Sequence, residues 1–389
     1  MGRAVYLDNS ATTPMCEEAL EVYCRVAREQ YGNPSSLHGF GFEAEKLLNG
    51  ARERILSSLS AKGTSVVFTA SGSEANNLAI LGRANAKERY KRGAKIITTE
   101  GEHASVSAPL DRLSAEGYKV VRIPTVGGRL DMDKLREELT RDVILVTMMM
   151  VNNETGALYD LAAVGRMMRA VCPEAVLHAD CTQSYMKLPF TKASLGADLI
   201  TLSSHKIEGP KGVGALIIDE KVIKSKGISP LILGGGQEMG LRSGTENVPA
   251  IAAFAEAVSI GARKISERCA KMNSLRELII QKIHSREALK ELSLTLPERH
   301  APHILNVTLP KIKSETMLHY LSSEGIYISS GSACSSNSAH TSSALVAYGR
   351  SVDEADSSIR VSLSHRNTEE DAEALIRALE SGVAKLQRK

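Results

Sequence analysis

Short apolar runs alternate with longer segments of helical periodicity through the first two thirds of the chain. A short apolar run between turn residues is typical of a buried strand, whereas apolar positions three and four residues apart indicate a helix. Strands that alternate with helices favour a mainly parallel sheet with helices on its faces. The runs therefore predict an α/β fold with a seven-stranded sheet. The predicted strands are residues 66–69, 95–99, 119–123, 143–150, 176–179, 199–202 and 213–218.

The pattern changes near residue 260, where a charged helical segment at residues 265–283 leads into short alternating runs. These runs lie at residues 304–308, 326–328 and 359–363. A change from a doubly wound pattern to a helix-plus-sheet pattern indicates a second domain. We therefore expect a large domain over residues 15–259 and a smaller α+β domain made of residues 1–14 and 260–389.

The composition narrows the range of partners. At 389 residues the chain is longer than one hydrophobic core requires, which favours two domains. The net charge of +3 is too small to argue for a nucleic-acid partner. The longest apolar stretch, residues 143–151, is too short to span a bilayer. Because the N-terminus also shows no hydrophobic signal region, we expect a cytoplasmic protein with no direct contact with nucleic acid or membrane.

A lysine lies at the carboxyl end of one predicted strand. Ser203-Ser204-His205-Lys206 follows the run at residues 199–202, at the edge where α/β sheets build their active sites. An ammonium there is costly to desolvate, and a Schiff base with an aldehyde cofactor removes the cost and supplies chemistry. Ser203 and His205 would suit the phosphate of that cofactor. By itself, a lysine after a strand is more often a solvated loop residue.

An aspartate closes the preceding predicted strand, since Asp180 follows the run at residues 176–179. Pyridoxal phosphate (PLP) needs a carboxylate against its pyridine nitrogen, so that the ring stays protonated and accepts carbanion electrons. Alone, Asp180 would be interpreted as an N-cap for a following helix. Together, Asp180 and Lys206 favour a PLP ring clamped from two sides.

Two further strand ends carry residues that suit such a cofactor. In Ala70-Ser-Gly-Ser-Glu74 a strand leads into a helix, so Gly72 and Ser73 can present N–H groups and a hydroxyl to a phosphate. Many strand–helix turns look similar, and the signal is weak without context. His103 follows the strand at residues 95–99, where an isolated histidine is more often a surface residue.

The six cysteines show neither a Cys-x-x-Cys pair nor a zinc-ligand spacing, so no metal site is predicted. Five of them are interpreted as ordinary small residues. Cys334 lies in a Ser- and Gly-rich run, residues 329–338, that predicts a mobile loop. An exposed thiol in such a loop is accessible to attack chemistry. By spacing alone, a chance cysteine in a linker is the simpler interpretation.

Motifs in a consistent order extend over almost the whole chain. They include Tyr6-Leu-Asp-Asn-Ser-Ala-Thr-Thr-Pro14, Thr69-Ala-Ser-Gly-Ser-Glu-Ala-Asn-Asn-Leu78, Val151-Asn-Asn-Glu-Thr-Gly156, His205-Lys-Ile-Glu-Gly-Pro-Lys-Gly212, Arg242-Ser-Gly-Thr245, Ser329-Ser-Gly-Ser-Ala-Cys334 and Ser358-Ile-Arg-Val-Ser-Leu363. Together they resemble the PLP-dependent cysteine desulfurases of the class V aminotransferase family, which have PLP-dependent transferase fold type I. The Ser-Gly-Ser-Ala-Cys loop is similar to the short-loop branch of that family.

The resemblance implies roles for individual residues. Lys206 would carry PLP, Asp180 would contact the pyridine nitrogen, and Gln183 the ring oxygen. His103 would stack on the ring and move protons, while Gly72, Ser73, Ser203 and His205 would hold the phosphate. Thr245 would reach the phosphate of a partner subunit, which implies a homodimer with shared active sites. Asn153 and Arg360 would hold the substrate carboxylate, and Cys334 would be the nucleophile that takes sulfur.

The reaction implied by the resemblance converts L-cysteine to L-alanine through a PLP ketimine. The sulfur would remain as a persulfide on Cys334 and pass to a protein acceptor for iron–sulfur cluster assembly, tRNA thiolation or a cofactor pathway. A transient iron–sulfur contact at Cys334 would be compatible with this role. The same residues leave open a selenocysteine lyase, another class V PLP aminotransferase, and a sulfur-delivery scaffold with an inactive site.

The sequence departs from the family pattern in three places. Glu208 stands where an aromatic residue is common after His-Lys-Ile, so we expect packing or charge near Lys206 to differ. Cys181 replaces a small alanine beside Asp180, which we expect to be tolerated. We also expect the additional C-terminal tail by which some members dock a scaffold to be missing, which leaves the delivery partner open.

Overall fold

The computed structural model describes residues 4–86, 94–330 and 342–387. The helices are α1 Glu17–Glu29, α2 Gly39–Ser58, α3 Gly72–Ala84, α4 Ala104–Ala115, α5 Met132–Glu138, α6 Leu161–Val171, α7 Lys192–Leu195, α8 Glu220–Lys224, α9 Val248–Arg263, α10 Ile265–Ser285, α11 Ser314–Ser323, α12 Ser343–Tyr348, α13 Val352–Asp356 and α14 Glu369–Leu386. The strands are β1 Val5–Tyr6, β2 Thr64–Thr69, β3 Lys95–Thr99, β4 Lys119–Ile123, β5 Val143–Met149, β6 Val176–Asp180, β7 Leu199–Ser203, β8 Gly214–Asp219, β9 Ser293–Thr295, β10 Ile304–Thr308, β11 Ile326–Tyr327, β12 Ser329–Ser330 and β13 Ser358–Ser362. None of the helices in these ranges is both long and apolar enough to cross a bilayer.

A seven-stranded sheet in the order β2-β8-β7-β6-β5-β3-β4 confirms the predicted α/β fold. Its pairs are parallel except those of β8, which is antiparallel to β2 and to β7. The predicted runs match the observed strands to within two residues. Because β5, β6 and β7 are parallel neighbours, their carboxyl ends lie at one edge of the sheet, where active sites of this architecture are built.

The apolar runs are continuous because both faces of this sheet are covered. Successive residues of β3 divide between two hydrophobic clusters, with Ile96 in one and Ile97 in the other. Leu145 and Val146 in β5 alternate in the same way. Burial on both faces replaces the polar–apolar alternation of a half-exposed strand, as is typical of parallel sheets.

The C-terminal part of the chain forms a four-stranded antiparallel sheet in the order β12-β13-β10-β9. Apolar side chains of α10, α11 and α14 pack against it in a separate hydrophobic cluster, which also contains Val5 and Leu7. The predicted strand at residues 326–328 corresponds to β11, which pairs with β1, and the next strand, β12, pairs with β13. The division into domains at residues 14 and 259 stays a prediction.

The segment after β1 connects the two sheets. Asp8 forms a bridge with Ser362 at the end of β13, and Asn9 Nδ2 donates to the Ser362 carbonyl at 2.9 Å. Farther along, Thr13 Oγ1 donates to the carbonyl of His205 at 2.9 Å. The N-terminal segment therefore runs from the antiparallel sheet to the carboxyl end of β7.

Candidate active site

A pocket of about 200 Å³ lies at the carboxyl ends of β5, β6 and β7. Strand ends, the N-terminus of α3, the N-terminal segment and β13 all contribute to its walls. The residues of the sequence analysis that line it are Gly72, Ser73, His103, Asn153, Asp180, Gln183, Ser203, His205, Lys206 and Arg360. Segments far apart in sequence thus place one lysine, one carboxylate and one arginine around a single cavity.

Lys206 ends a short 3₁₀ turn, Ser204–Lys206, that directly follows β7. Its Nζ donates to the backbone carbonyls of Ser10 at 2.6 Å and Ala11 at 2.7 Å. Since the lysine is half-buried, lines the pocket and donates to two backbone carbonyls, the structure favours a site residue over a solvated loop residue. The N-terminal segment holds the amine at the pocket wall.

Asp180 is the last residue of β6 and is buried. Its Oδ1 accepts from the backbone N–H of Thr182 at 2.9 Å, and its Oδ2 accepts from Asn76 Nδ2 at 2.8 Å. No helix begins at Asp180 in the described chain, because residues 182–187 form turns. The carboxylate therefore caps a turn and at the same time lines the pocket.

Asn76 is a site residue that the sequence analysis missed. It lies in α3, where its Nδ2 also donates to Ser105 Oγ at 2.9 Å, so that it links Asp180 to the start of α4. Its Oδ1 is buried and has no hydrogen-bond partner among the described residues. The available signal was a pair of asparagines inside a predicted helix, a position that asparagine does not favour.

His103 is the N-cap of α4, and its Nδ1 accepts from the backbone N–H of Ser105 at 3.1 Å. In the neutral imidazole this bond places the proton on Nε2. Burial lowers the pKa of His103; Asp180 acts in the opposite direction, while Lys206 and Arg360 lower it further. The imidazole is therefore neutral at physiological pH and can accept or donate a proton in the pocket.

The turn between β2 and α3 presents an anion site to the pocket. Ser71 is the N-cap of the 13-residue helix α3, and Gly72 and Ser73 begin it. A Cβ at Gly72 would lie 3.1 Å from Ser203 Cβ and 3.3 Å from Thr182 Oγ1, so glycine permits three segments to meet. Helix N-termini with free N–H groups bind phosphates. The geometry suits an anionic group at this end.

His205 lies at the same end of the pocket, with Nδ1 3.1 Å from Thr12 Oγ1. Burial lowers the pKa of His205 to about 4, together with the positive charges of Lys206, Lys211 and Lys187. The imidazole is thus neutral at physiological pH. It can offer one N–H to an anion without adding a charge.

Arg360 belongs to β13 and lines the pocket together with the strand ends that carry Asp180 and Lys206. Its Nη1 donates to the backbone carbonyl of Asn153 at 3.0 Å, and its Nη2 pairs with Asp8 Oδ1 at 3.0 Å. The guanidinium is buried, so this is not a surface salt bridge. Its Nε is buried without a hydrogen-bond partner among the described residues. The arginine therefore has capacity for another acceptor.

One predicted residue lies elsewhere. Thr245 is exposed and lines a separate cavity with Phe68 and Glu238. The segment that carries it is tied to α3, because Arg242 Nε pairs with Glu74 Oε1 at 2.9 Å. Cys334 lies outside the described residues.

The residues on either side of the cysteine segment are described. Ser329 in β12 is in register with Arg360, so the chain before the segment runs beside the arginine. After the segment, Ser342 donates through its hydroxyl to the carboxyl of Glu154, the neighbour of Asn153. Ser329 and Ser342, which flank positions 331–341, thus lie next to residues at the arginine end of the pocket.

Glu208, the departure noted beside Lys206, is buried with positive φ of 67°. Its carboxylate pairs with Arg268 Nη1 at 3.1 Å and with Arg366 Nε at 2.7 Å. Two arginines from the C-terminal part of the chain thus balance the buried carboxylate, and the expectation that packing or charge near Lys206 differs from the family stays a prediction. Cys181 is buried, and burial raises the pKa of its thiol.

Comparisons with known proteins agree with this geometry. The model of the class-V aminotransferase family matches residues 5–375. The chain is 35% identical to cysteine desulfurase IscS 1 of Archaeoglobus fulgidus over 384 residues, covering 98% of this chain and 97% of the relative. It is 38% identical to a NifS/IcsS protein homolog of Lactobacillus delbrueckii over 380 residues, covering 97% and 96%.

Solved structures are similar over nearly the whole chain. A NifS-like protein superposes with a TM-score of 0.90 at 34% identity, covering 99% of this chain and 100% of that one. A structure of SspA in complex with cysteine gives a TM-score of 0.77 at 30% identity, covering 93% and 99%. The chain therefore belongs to the class-V aminotransferase family and, within it, to the cysteine desulfurases.

Proposed function

We propose that this chain is a PLP-dependent enzyme that converts L-cysteine to L-alanine and retains the sulfur as a persulfide on Cys334. The observation that carries the proposal is the convergence of Lys206, Asp180 and the N-terminus of α3 on one pocket. Its relatives named cysteine desulfurases, and the solved relative in complex with cysteine, support the substrate.

The donor set of the pocket fits PLP. An amine, a buried carboxylate and a helix N-terminus match the aldehyde, the pyridine nitrogen and the phosphate of this cofactor. Asn76 lines the pocket, and its buried Oδ1 has no hydrogen-bond partner among the described residues, so the site has unused polar capacity. When bound, PLP supplies an aldehyde for an amine and a protonated ring that accepts electrons from the substrate α-carbon.

Each side chain then has a role toward the cofactor. Lys206 would hold the aldehyde, and Asp180 would keep a proton on the ring nitrogen. Asn76 and the Thr182 N–H, which occupy both oxygens of Asp180, would fix the direction of that carboxylate.

Further residues would hold the phosphate and the ring oxygen. The backbone N–H groups of Gly72 and Ser73, with Ser203 and the neutral His205, would bind the phosphate. Gln183 would donate to the ring oxygen. His103 would stack against the ring, where its neutral imidazole would take and return a proton.

The arginine end of the pocket would bind the substrate. Arg360 suits a carboxylate because its planar fork binds it in a bidentate manner. In the structure that fork contacts Asp8 and the carbonyl of Asn153, so the substrate carboxylate would use the free Nε or replace Asp8. Binding there brings the cysteine side chain toward the segment that begins beside Arg360.

Sulfur transfer would occur on Cys334. Its thiolate attacks the sulfur of the substrate, an S–S bond forms, and the C–S bond breaks with its electron pair on the substrate β-carbon. Protonation of that carbon leads to alanine, and the sulfur remains on the enzyme as a persulfide. Such a covalent step divides one difficult reaction into two.

We further propose a homodimer in the cytoplasm. Thr245 is exposed and cannot serve the pocket of its own chain, which fits the role of completing the phosphate site of a partner. Large apolar side chains nearby, Leu233 and Met239, are also exposed. A protein acceptor would receive the persulfide sulfur, for iron–sulfur clusters or thiolation.

The test is the formation of alanine and sulfide from L-cysteine with a thiol reductant, comparing wild type with Cys334→Ala. We expect equal amounts of both products from the wild type and loss of both in the variant, with the yellow colour of PLP retained. Activity that survives Cys334→Ala would exclude this cysteine as the sulfur acceptor.

A further inference from the structure

Lys187 is a second buried lysine beside the pocket, and no step proposed above uses it. Its side chain is only 6% exposed. In the described part of the chain, its Nζ finds one side-chain hydrogen-bond acceptor, Gln183 Oε1, at 3.4 Å. A buried amine with so few partners is costly to maintain and calls for an explanation.

The two neighbours of Gln183 impose one orientation on its amide. Nε2 donates to the carbonyl of Ser10 at 2.9 Å, while Oε1 faces Lys187. A carbonyl only accepts and an ammonium only donates. The reverse orientation would therefore place Oε1 against the Ser10 carbonyl and Nε2 against the Lys187 ammonium. Because Gln183 lines the pocket, the donor that it has left for a ligand there is the second N–H of Nε2.

We propose that Lys187 is a positioning residue that fixes the amide of Gln183, so that Gln183 offers an N–H to the anionic ring oxygen of PLP. The inference rests on the PLP binding proposed above. Without Lys187, only the Ser10 carbonyl would oppose the reversed amide, so the carbonyl of Gln183 would turn more often to the same place and repel that oxygen. Lys187 thus acts through Gln183 and does not contact the cofactor.

The charges around Lys187 are compatible with this role. Burial lowers the pKa of Lys187 to about 7, as do the like charges of Lys206 and Arg360, whereas Glu208 raises it. Lys187 in turn lowers the pKa of His205 and of the fully buried His303. The neutral amine can still donate to Oε1, and the Ser10 carbonyl accepts from Nε2 in either charge state of the lysine, so the amide of Gln183 keeps its orientation on both sides of neutral pH.

The experiment compares the holoenzyme with Lys187→Met by pH titration of the visible absorbance of the bound cofactor. When the ring oxygen loses the N–H donor, it becomes a stronger acceptor for the proton on the nitrogen that joins Lys206 to the cofactor. We therefore expect the titration midpoint to rise by about half a unit to one unit. In a Gln183→Leu background, the shift caused by Lys187→Met should fall by more than half.

Lys192→Met is the matched control. Lys192 is partly buried, pairs with Asp219 Oδ2 at 2.5 Å and lies outside the pocket, so its removal should leave the midpoint unchanged. An unchanged midpoint in Lys187→Met, or a full shift that persists in the Gln183→Leu background, would overturn the inference.

A second measurement needs no variant. A crystal structure of the holoenzyme at better than about 1.2 Å resolution distinguishes the amide oxygen from the nitrogen. Nε2 toward Ser10 and the ring oxygen supports the inference, and Oε1 toward the ring oxygen contradicts it. A wild-type protein that takes up no PLP would instead defeat the proposed function, and the inference with it.

Discussion

The two ends of the pocket are built in different ways. At the lysine end, polar groups follow the strands of one mainly parallel sheet and are held by hydrogen bonds, such as those from Asn76 and Thr182 to Asp180. At the arginine end, Asp8, Asn153, Glu154, Ser342 and Arg360 come from four distant parts of the chain. The contacts of Arg360 there include an ion pair with Asp8, which the substrate carboxylate would replace under the proposed function.

This difference separates two tasks. A cofactor that stays bound needs groups in fixed positions, and the strand ends of a rigid sheet supply them. A substrate that enters and leaves needs a receptor whose own partners can be exchanged. Changes at the lysine end should therefore affect the chemical step, whereas changes at the arginine end should affect substrate binding.

The largest effect is expected from Asp180→Asn. The amide is nearly isosteric but cannot keep the ring nitrogen protonated, so kcat should fall on the order of 100- to 1,000-fold. The KM for cysteine should change little. Steady-state alanine formation measures both parameters, and an unchanged kcat with a raised KM would contradict the division between the two ends.

A smaller effect, on binding, is expected from Arg360→Ala. Loss of a charge-assisted hydrogen bond should raise KM for cysteine about 10- to 100-fold. The absorbance of the bound cofactor should remain that of the wild type. Asp8→Asn is the matched variant: it leaves the arginine in place, so KM should stay within about threefold of wild type or fall.

If Arg360→Ala lowered kcat and left KM unchanged, the arginine would belong to the chemical step. A large rise of KM in Asp8→Asn would show that the ion pair orients Arg360 and does not compete with substrate.

The smallest effect concerns stability and Glu154, which anchors the chain after the cysteine segment through Ser342. Burial raises the pKa of Glu154 from 4.5 to about 7, although Ser342 and Arg360 lower it. The native state then binds more protons than the unfolded state between these values, so this group favours folding at low pH and loses that contribution as pH rises to about 7.

Glu154→Gln removes this pH dependence. The free energy of unfolding of the variant relative to wild type should therefore increase by about 1–3 kcal/mol between pH 5 and pH 8. Denaturant unfolding at the two pH values measures it. A relative stability that is constant or falls with pH would show that Glu154 is ionised in the native protein throughout.

Local patterns predict the lysine end better than the arginine end. The apolar runs locate the seven strands, and the position of Asp180 and Lys206 after two of them suffices to expect a shared pocket. The contact of Asn76 with Asp180 was not predictable, because no local period relates a helix residue to a strand end 104 positions later.

At the arginine end, the long-range partners could be identified only from the family resemblance or from the structure. Arg360 was identified by its motif, but its ion pair with Asp8 joins residues 352 positions apart. The arginines that balance Glu208 likewise come from α10 and from the chain after β13. Such pairs depend on how the two sheets are placed relative to each other. The hydrophobic pattern of either sheet carries no information about that placement.

The most direct test of the account is to locate the lysine that binds PLP. Borohydride reduction of the holoenzyme fixes the cofactor covalently to the amine that holds it, and peptide mass spectrometry identifies the residue. We expect a single modified site at Lys206. Modification at Lys187, the other buried lysine beside the pocket, or at no lysine at all, would contradict the central claim.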